Sequence, residues 1–134
     1  TRISLEKRMA EARAAGKANS GDADAEQIKK LEDRVTKFKA IIEMDPGDVL
    51  GYFGCGKALL DSKRFREAAE MLAKVVEIQE DYSVAWANLG TAYAALGEND
   101  KARETFEKGI EVAREKGDMM PARDMQVRLE RLPK

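Results

Sequence analysis

The sequence predicts an all-α protein in which helical hairpins pack side by side, and three observations support this fold class. The composition is rich in Ala, Glu, Lys, Arg and Leu, and three prolines are few for a chain built from many strands and turns. Apolar residues recur at steps of three and four along several segments. One pattern of large and small residues occurs twice, 34 residues apart. A chain of 134 residues is long enough for one compact unit or a short array of such repeats.

The start of the chain is expected to hold a short helix and a connection. Within residues 2–15, Leu5, Met9 and Ala12 lie at steps of four and three, so they share one face of a helix. This helix is short and its apolar face is thin, so it needs another surface to pack on. The following stretch is rich in Gly, Asn, Ser and Asp, which favour turns. We assign residues 1–24 as an N-terminal helix and linker.

A longer helix is predicted from about residue 25 to residue 44. Its apolar residues again recur at steps of three and four: Ile28, Leu31, Val35, Phe38 and Ile42. This stripe packs either on the rest of the protein or on a second copy in a coiled coil. Coiled coils need three or four heptads and the stripe spans barely two, which favours packing within the chain. The Asp45-Pro46-Gly47-Asp48 turn ends the helix, so residues 25–48 are assigned as a partial first repeat.

The most informative pattern lies in residues 83–116. Four residues are spaced W-x2-L-G-x2-Y and two more are spaced A-x3-F: Trp86, Leu89, Gly90, Tyr93, Ala102 and Phe106. This order resembles the tetratricopeptide repeat, a helix–turn–helix unit of about 34 residues. A weaker match occupies the corresponding positions of residues 49–82: Tyr52, Cys55, Gly56, Leu59, Ala68 and Leu72. We therefore assign one repeat to residues 49–82 and a second to residues 83–116.

The residue types in this pattern have physical roles. Gly56 and Gly90 are expected where the two helices of a hairpin cross, with the small Ala68 and Ala102 on the facing helix. The large aromatic side chains are expected to fill the space between neighbouring hairpins: Trp86, Tyr93 and Phe106. Because one hairpin cannot bury its apolar face alone, repeats stack and the exposed end needs a cap. Residues 117–134 are assigned as this capping helix, with one apolar stripe formed by Ala122, Met125, Leu129 and Leu132.

The chain from Val35 to Leu132 is similar, as a whole, to small bacterial tetratricopeptide proteins. The resemblance implies a right-handed superhelical array and a non-catalytic adaptor or scaffold that binds a peptide or helix of another protein. In the family, the first helix of each hairpin lines the concave side, where such partners lie. Carried over by alignment, the resemblance implies these partner-binding residues: Leu50, Phe53, Lys57, Leu60, Val84, Ala87, Asn88, Thr91 and Ala95.

This expected lining is mostly apolar, with one cation and one amide. Family members that clamp the C-terminal carboxylates of chaperones use several Lys, Arg and Asn residues there. Asn88 matches one of those places, but Phe53 stands where a lysine is expected and Lys57 where an asparagine is expected. A hydrophobic helix or extended segment with one acidic group on Lys57 suits the lining better. The alternative is that the terminal helices of the chain cover part of it.

Two further functions stay open at this point. The chain could be a homo-oligomerisation module that uses the stripe of residues 28–42 or an open end of the repeat array. It could also be a regulatory domain of a larger enzyme, since it begins at Thr1 and not at Met.

Composition argues against several other classes. The chain has no histidine and one cysteine, which excludes histidine base chemistry and a structural zinc site of Cys and His. A net charge of −1 provides no large field for nucleic acid or an anionic membrane. No apolar run approaches the roughly 20 residues of a membrane span. We expect no metal, cofactor, nucleic acid or membrane partner, and a cytoplasmic location unless a targeting segment was removed.

No catalytic residue is assigned. The glycines between Gly51 and Gly56 lack the Gly-Lys-Ser/Thr that completes a phosphate-binding loop, so a packing role is preferred. Cys55 would need a base to become a nucleophile, and its alignment with Leu89 predicts a buried, inert thiol. The carboxylates alternate with Lys and Arg, as at Glu104 and Lys108, which is typical of a solvated helix face.

Overall fold

The computed structural model describes residues 24–134, and within that range the chain forms helices and turns without any strand. The helices are α1 (residues 24–44), α2 (Val49–Asp61), α3 (Phe65–Ile78), α4 (Ser83–Ala95), α5 (Asn99–Lys116) and α6 (Met119–Arg131). This confirms the predicted all-α class and the helices predicted after residue 24. The predicted helix of residues 2–15 and its linker up to residue 23 lie outside the described residues.

The helices form two hairpins and a closing helix. α2 packs against α3, and α4 packs against α5. The hairpins meet through α3 and α4, and α6 lies against both α5 and α4. The final helix thus covers one end of the array, as the alternating apolar and charged residues of this segment predict.

Two hydrophobic cores run through this array. The first joins α1 to both hairpins and contains Val35, Cys55, Ala58, Leu59, Ala68, Ala69, Leu72, Leu89 and Ala92. The second joins the last hairpin to α6 and contains Ala87, Ala102, Phe106, Ile110, Ala113, Ala122 and Met125. Tyr93 packs against both cores, so its ring connects one hairpin to the next.

Glycines mark the helix crossings. A Cβ at Gly56 would lie 2.8 Å from Cγ of Leu72, and one at Gly90 would lie 2.6 Å from Cδ1 of Phe106. Neither distance is sterically allowed, so a side chain at either position would force the two helices of the hairpin apart. The predicted role of both glycines is confirmed, and Phe106 packs inside its own hairpin as well as toward α6.

A third crossing was not predicted from the sequence. A Cβ at Gly109 would lie 2.6 Å from Cβ of Trp86 and would also meet the sulfur of Met125. Gly109 therefore lies where α4, α5 and α6 meet. Its lack of a side chain allows the capping helix to approach the last hairpin.

The apolar stripe of α1 is used within the chain, although it is shorter than predicted. Val35 is buried, and Phe38 and Ile42 pack against the first core. Ile28, in contrast, is 59% exposed, and Met44 is 85% exposed. The stripe therefore packs on the body of the protein at its centre and C-terminal part, which leaves those side chains unavailable to a coiled-coil partner.

Candidate partner-binding surface

One open surface lies between α1 and α2. A depression of about 400 Å³ is lined by Arg34, Phe38, Leu50, Phe53, Gly54, Lys57 and Ala58, and we call it the α1–α2 depression. Three of the predicted partner-binding residues, Leu50, Phe53 and Lys57, come together here. They share one side of α2 because steps of three and four residues nearly complete whole helical turns.

The side chains that line this depression differ in their exposure and in the contacts that restrain them. Leu50 is 61% exposed. The Phe53 ring packs on the Tyr82 ring, with centroids 4.8 Å apart and planes inclined by 34°. The Lys57 ammonium lies 3.0 Å from the Asp61 carboxylate, in a surface pair with half of the lysine side chain exposed. Such a pair contributes little free energy, so the lysine can turn toward an acidic partner.

The sequence alignment missed four residues of the depression, namely Gly54 and Ala58 on α2 and two residues on α1. Arg34 and Phe38 belong to α1, a second helix of the repeat pattern, whereas only first helices were expected to line the surface. A signal was present, because a step of 34 residues places Arg34 in register with Ala68 and Ala102. Both alanines are fully buried, so an arginine at this position indicates an open surface.

The predicted residues of α4 do not form a matching surface. Ala87 is only 6% exposed and packs in the same core as Ala122 and Met125 of α6, so this part of the expected lining is covered. Val84 is 46% exposed, and Ala95 is exposed at the end of the helix. Neither lines a depression with the residues of α2. The alternative that the chain covers part of its own lining therefore applies at α4.

The remaining predicted residues have roles within the fold. Leu60 packs against the first core, although it is half-buried. The Thr91 hydroxyl donates to the Ala87 carbonyl at 2.8 Å. Thr91 also lines a second depression of about 450 Å³, together with Ala94, Gly97, Asn99, Phe106, Arg128, Arg131, Leu132 and Pro133. This α4–α6 depression carries two arginines of the capping helix, so its charge has the same sign as that of the α1–α2 depression.

Asn88 differs from the other residues of α4. Its Nδ2 is buried, and among the described residues it has no hydrogen-bond acceptor. A buried amide donor without an acceptor costs free energy, commonly about 1–3 kcal/mol.

The thiol of Cys55 is not placed for nucleophilic chemistry. Cys55 is fully buried, and burial raises the pKa of its thiol, so the thiolate needed for nucleophilic attack is disfavoured. Residues 24–134 hold no cluster of three or more His, Cys, Asp or Glu side chains placed to bind a metal ion. Nor does any helix in this part of the chain combine the length and apolar character of a membrane span.

Comparison with known proteins gives one consistent answer. A family model described as tetratricopeptide repeat matches residues 59–118. The TPR repeat-containing protein PA0015 of Pseudomonas aeruginosa is 39% identical over 80 residues, which cover 60% of this chain and 76% of that protein. Among solved structures, protein BPP2914 from Bordetella parapertussis has a TM-score of 0.64 at 28% identity, covering 72% of this chain and 84% of that one. The TPR2B domain of yeast Sti1, solved in a complex with pHsp70, has a TM-score of 0.71 at 25% identity and covers 90% and 91% of the two chains.

Proposed function

Because the chain belongs to the tetratricopeptide repeat family, whose repeats serve as protein-interaction modules, we propose that it is a non-catalytic adaptor. In this proposal, a helix or extended segment of another protein binds on the surface formed by α1 and α2. One apolar side chain of the partner lies in the α1–α2 depression, and a neighbouring carboxylate pairs with Lys57. The observation that carries the proposal is the open, mostly apolar α1–α2 depression itself.

The chemistry of the depression defines the partner. Phe38, Leu50 and Phe53 offer apolar surface, and each buried methylene of a partner would contribute about 0.8 kcal/mol. Arg34 and Lys57 line the same depression and favour an acidic group beside the apolar one. An apolar segment flanked by acidic residues meets both conditions.

A chaperone tail suits this surface less well. The Sti1 domain was solved in a complex with pHsp70. The family resemblance implies that a clamp for a chaperone carboxylate has a lysine where this chain has Phe53. We therefore expect a synthetic Hsp70 C-terminal peptide to bind with a Kd above about 1 mM, that is, with less than about 4 kcal/mol of binding free energy. If this peptide binds with a micromolar Kd, the surface recognises a C-terminal carboxylate, and the proposed apolar partner segment is wrong.

Paired substitutions test the adaptor proposal. Leu50→Glu and Met44→Glu each place a carboxylate at an exposed apolar position, but only Leu50 lines the depression. Wild-type and variant proteins would be immobilised, and the proteins captured from a lysate would be quantified by mass spectrometry. We expect specific partners whose capture falls at least severalfold with Leu50→Glu and with Lys57→Glu and is retained with Met44→Glu. If every captured protein responds equally to all three variants, the depression is not the binding site.

A further inference from the structure

The α4–α6 depression lies at the end of the array where α4 turns into α5 and where α6 ends. Its apolar lining includes Ala94 of α4, and Leu132 and Pro133 after α6. Ala94 and Leu132 are half-buried and Pro133 is exposed, so all three leave apolar surface open to solvent. The depression shares no residue with the α1–α2 depression, so the two are separate surfaces.

The wall that follows α6 is held in place by α5. The Arg103 guanidinium donates to the Pro133 carbonyl at 2.9 Å and to the Asp100 carboxylate at 3.1 Å. Leu132 also packs against the second hydrophobic core. Because the wall is already ordered by these contacts, a ligand that binds there loses less free energy to the ordering of the surface.

The charge of the depression comes from two arginines of the capping helix. Arg128 and Arg131 are three residues apart, so their side chains lie side by side on one face of α6. Within residues 24–134, Arg131 forms no ion pair with a carboxylate. Arg128 pairs only with Asp124 of its own helix at 3.1 Å, and both side chains are about half exposed. Such a surface pair contributes little free energy, so Arg128 can also turn toward a ligand.

Carboxylates near this end of the array do not neutralise the two arginines. Glu98, in the turn before α5, bonds to Arg66 of the earlier repeat, and Asp100 bonds to Arg103. The α4–α6 depression therefore has an excess of positive charge beside its apolar lining. Two arginines on a chain of net charge −1 are too few to bind the phosphate backbone of a nucleic acid, which favours an acidic protein segment.

We propose that the α4–α6 depression is a second partner site, which binds an apolar residue flanked by aspartate or glutamate in a segment of another protein. The apolar side chain lies on Ala94, Leu132 and Pro133, and the flanking carboxylates pair with Arg131 and Arg128. The capping helix then has two roles, because Met125 closes the last hairpin while the arginines bind the partner.

This site goes beyond the adaptor proposal, which uses the α1–α2 depression alone. Both depressions offer apolar surface next to cations, so both select acidic, apolar segments. A partner with two such segments, joined by a linker that spans the two sites, is bound more tightly than either segment alone, because the second binding step is intramolecular.

The test is an NMR titration of the isotope-labelled full chain with a synthetic peptide. The probe is the peptide Glu-Leu-Asp-Leu-Glu with blocked ends, and its control is Lys-Leu-Lys-Leu-Lys. The backbone amide resonances of Gly97 and Asn99 report on the α4–α6 depression, and those of Gly54 and Lys57 report on the α1–α2 depression.

Two charge reversals on α6 form a matched pair. Arg131→Glu changes the depression, whereas Arg123→Glu makes the same change of charge at an exposed position outside it. Because both arginines are exposed, both variants should keep the fold, and the remaining resonances check this. We expect the acidic peptide to shift Gly97 and Asn99 and the basic peptide to leave them in place. Arg131→Glu should raise the Kd measured at Gly97 at least about threefold, since it removes a surface ion pair, and Arg123→Glu should leave this Kd unchanged.

The proposal is overturned if Gly97 and Asn99 do not respond to the acidic peptide, if the basic peptide binds equally well, or if both variants weaken binding equally. Shifts confined to Gly54 and Lys57 would overturn this site and leave the adaptor proposal standing, whereas shifts confined to Gly97 and Asn99 would do the reverse. Spectra without peptide would be recorded at several protein concentrations. A Gly97 resonance that depends on concentration would assign the depression to a second copy of the chain and overturn the proposed partner.

Discussion

The repeats of residues 49–82 and 83–116 have first helices of equal length, 13 residues each, yet they present these helices differently. In the earlier repeat, Phe53 of α2 stays half-exposed in an open depression. In the later repeat, the corresponding Ala87 of α4 is buried in a core that it shares with α6. Position in the array, and not the repeat pattern, therefore decides which part of a first helix is free to bind. Within residues 24–134, the surface of α2 beside α1 is open, whereas the surface of α4 beside the capping helix is covered.

The largest effect is expected from loosening the capping helix. Met125 is fully buried against the last hairpin, so Met125→Ala should lower the free energy of unfolding by about 3 kcal/mol. Val127 of the same helix is 43% exposed, and Val127→Ala should change stability by less than about 0.5 kcal/mol. Urea unfolding followed by circular dichroism measures both. Equal losses in the two variants would show that α6 does not close the array through Met125.

Substitutions at the glycine crossings should lower the free energy of unfolding by a smaller amount, and this amount should differ between the two repeats. Gly90→Ala places a methyl group against the buried Phe106 ring and should cost about 2 kcal/mol, part of the clash being offset by the better helix propensity of alanine. Gly56→Ala meets the smaller, more adaptable Leu72 side chain and should cost about 1 kcal/mol. Thermal unfolding of both variants provides the measurement. A larger loss at Gly56 would mean that the earlier hairpin is the more tightly packed one.

Substitutions in the turns inside the two hairpins should change the free energy of unfolding in opposite directions. Lys63 has a φ of 62°, and Gly97 at the corresponding position has a φ of 77°. A side chain in this left-handed region costs about 1 kcal/mol. Lys63→Gly should therefore raise the free energy of unfolding by about 1 kcal/mol, and Gly97→Ala should lower it by a similar amount. Denaturant titrations would contradict this explanation if both substitutions destabilised the protein.

The smallest effect concerns an ion pair between the repeats. Arg66 of the earlier repeat bonds to Glu98 of the later one at 2.9 Å, and this hydrogen bond holds the pKa of Glu98 below its usual value. A lowered carboxyl pKa stabilises the fold above the ordinary glutamate pKa, and this stabilisation is lost as the pH falls through the lowered value. Arg66→Gln should therefore lower the Tm at pH 7 and have no effect in acid, where Glu98 is protonated. Tm measurements across this range, with and without 0.5 M salt, check the assignment, because salt should weaken an exposed pair. A Tm difference that persists in acid would mean that Arg66 acts through packing and not through its charge.

Much of the fold could be predicted because its signals are local or periodic. The aromatic and glycine spacing around Trp86 and Gly90 is a repeated unit, so its meaning does not depend on distant residues. The Asp45-Pro46-Gly47-Asp48 turn ends α1 as predicted, and Asp48 also caps α2 by accepting a hydrogen bond from the Leu50 amide at 2.9 Å. Gly117, with a φ of 84°, ends α5 where the sequence breaks the helical pattern.

The candidate site was harder to predict from the sequence. Alignment by repeat position placed Phe53 and Ala87 in one lining, because it treats all first helices as equivalent. It omitted Arg34 and Phe38, since second helices are expected to face the opposite side of the array. The role of Gly109 was also missed, because the repeat pattern marks the crossing within a hairpin and not the approach of a final helix.

The sequence by itself determined the helices, their pairing in hairpins and the family, because helix periodicity and glycine crossings are properties of residues close together in the chain. Only the tertiary structure decided that α6 buries Ala87 and that Arg34 and Phe38 complete an open surface with Leu50, Phe53 and Lys57. The physical reason is that exposure depends on which neighbour packs against a helix. At the two ends of a repeat array, that neighbour is set by segments outside the repeat pattern.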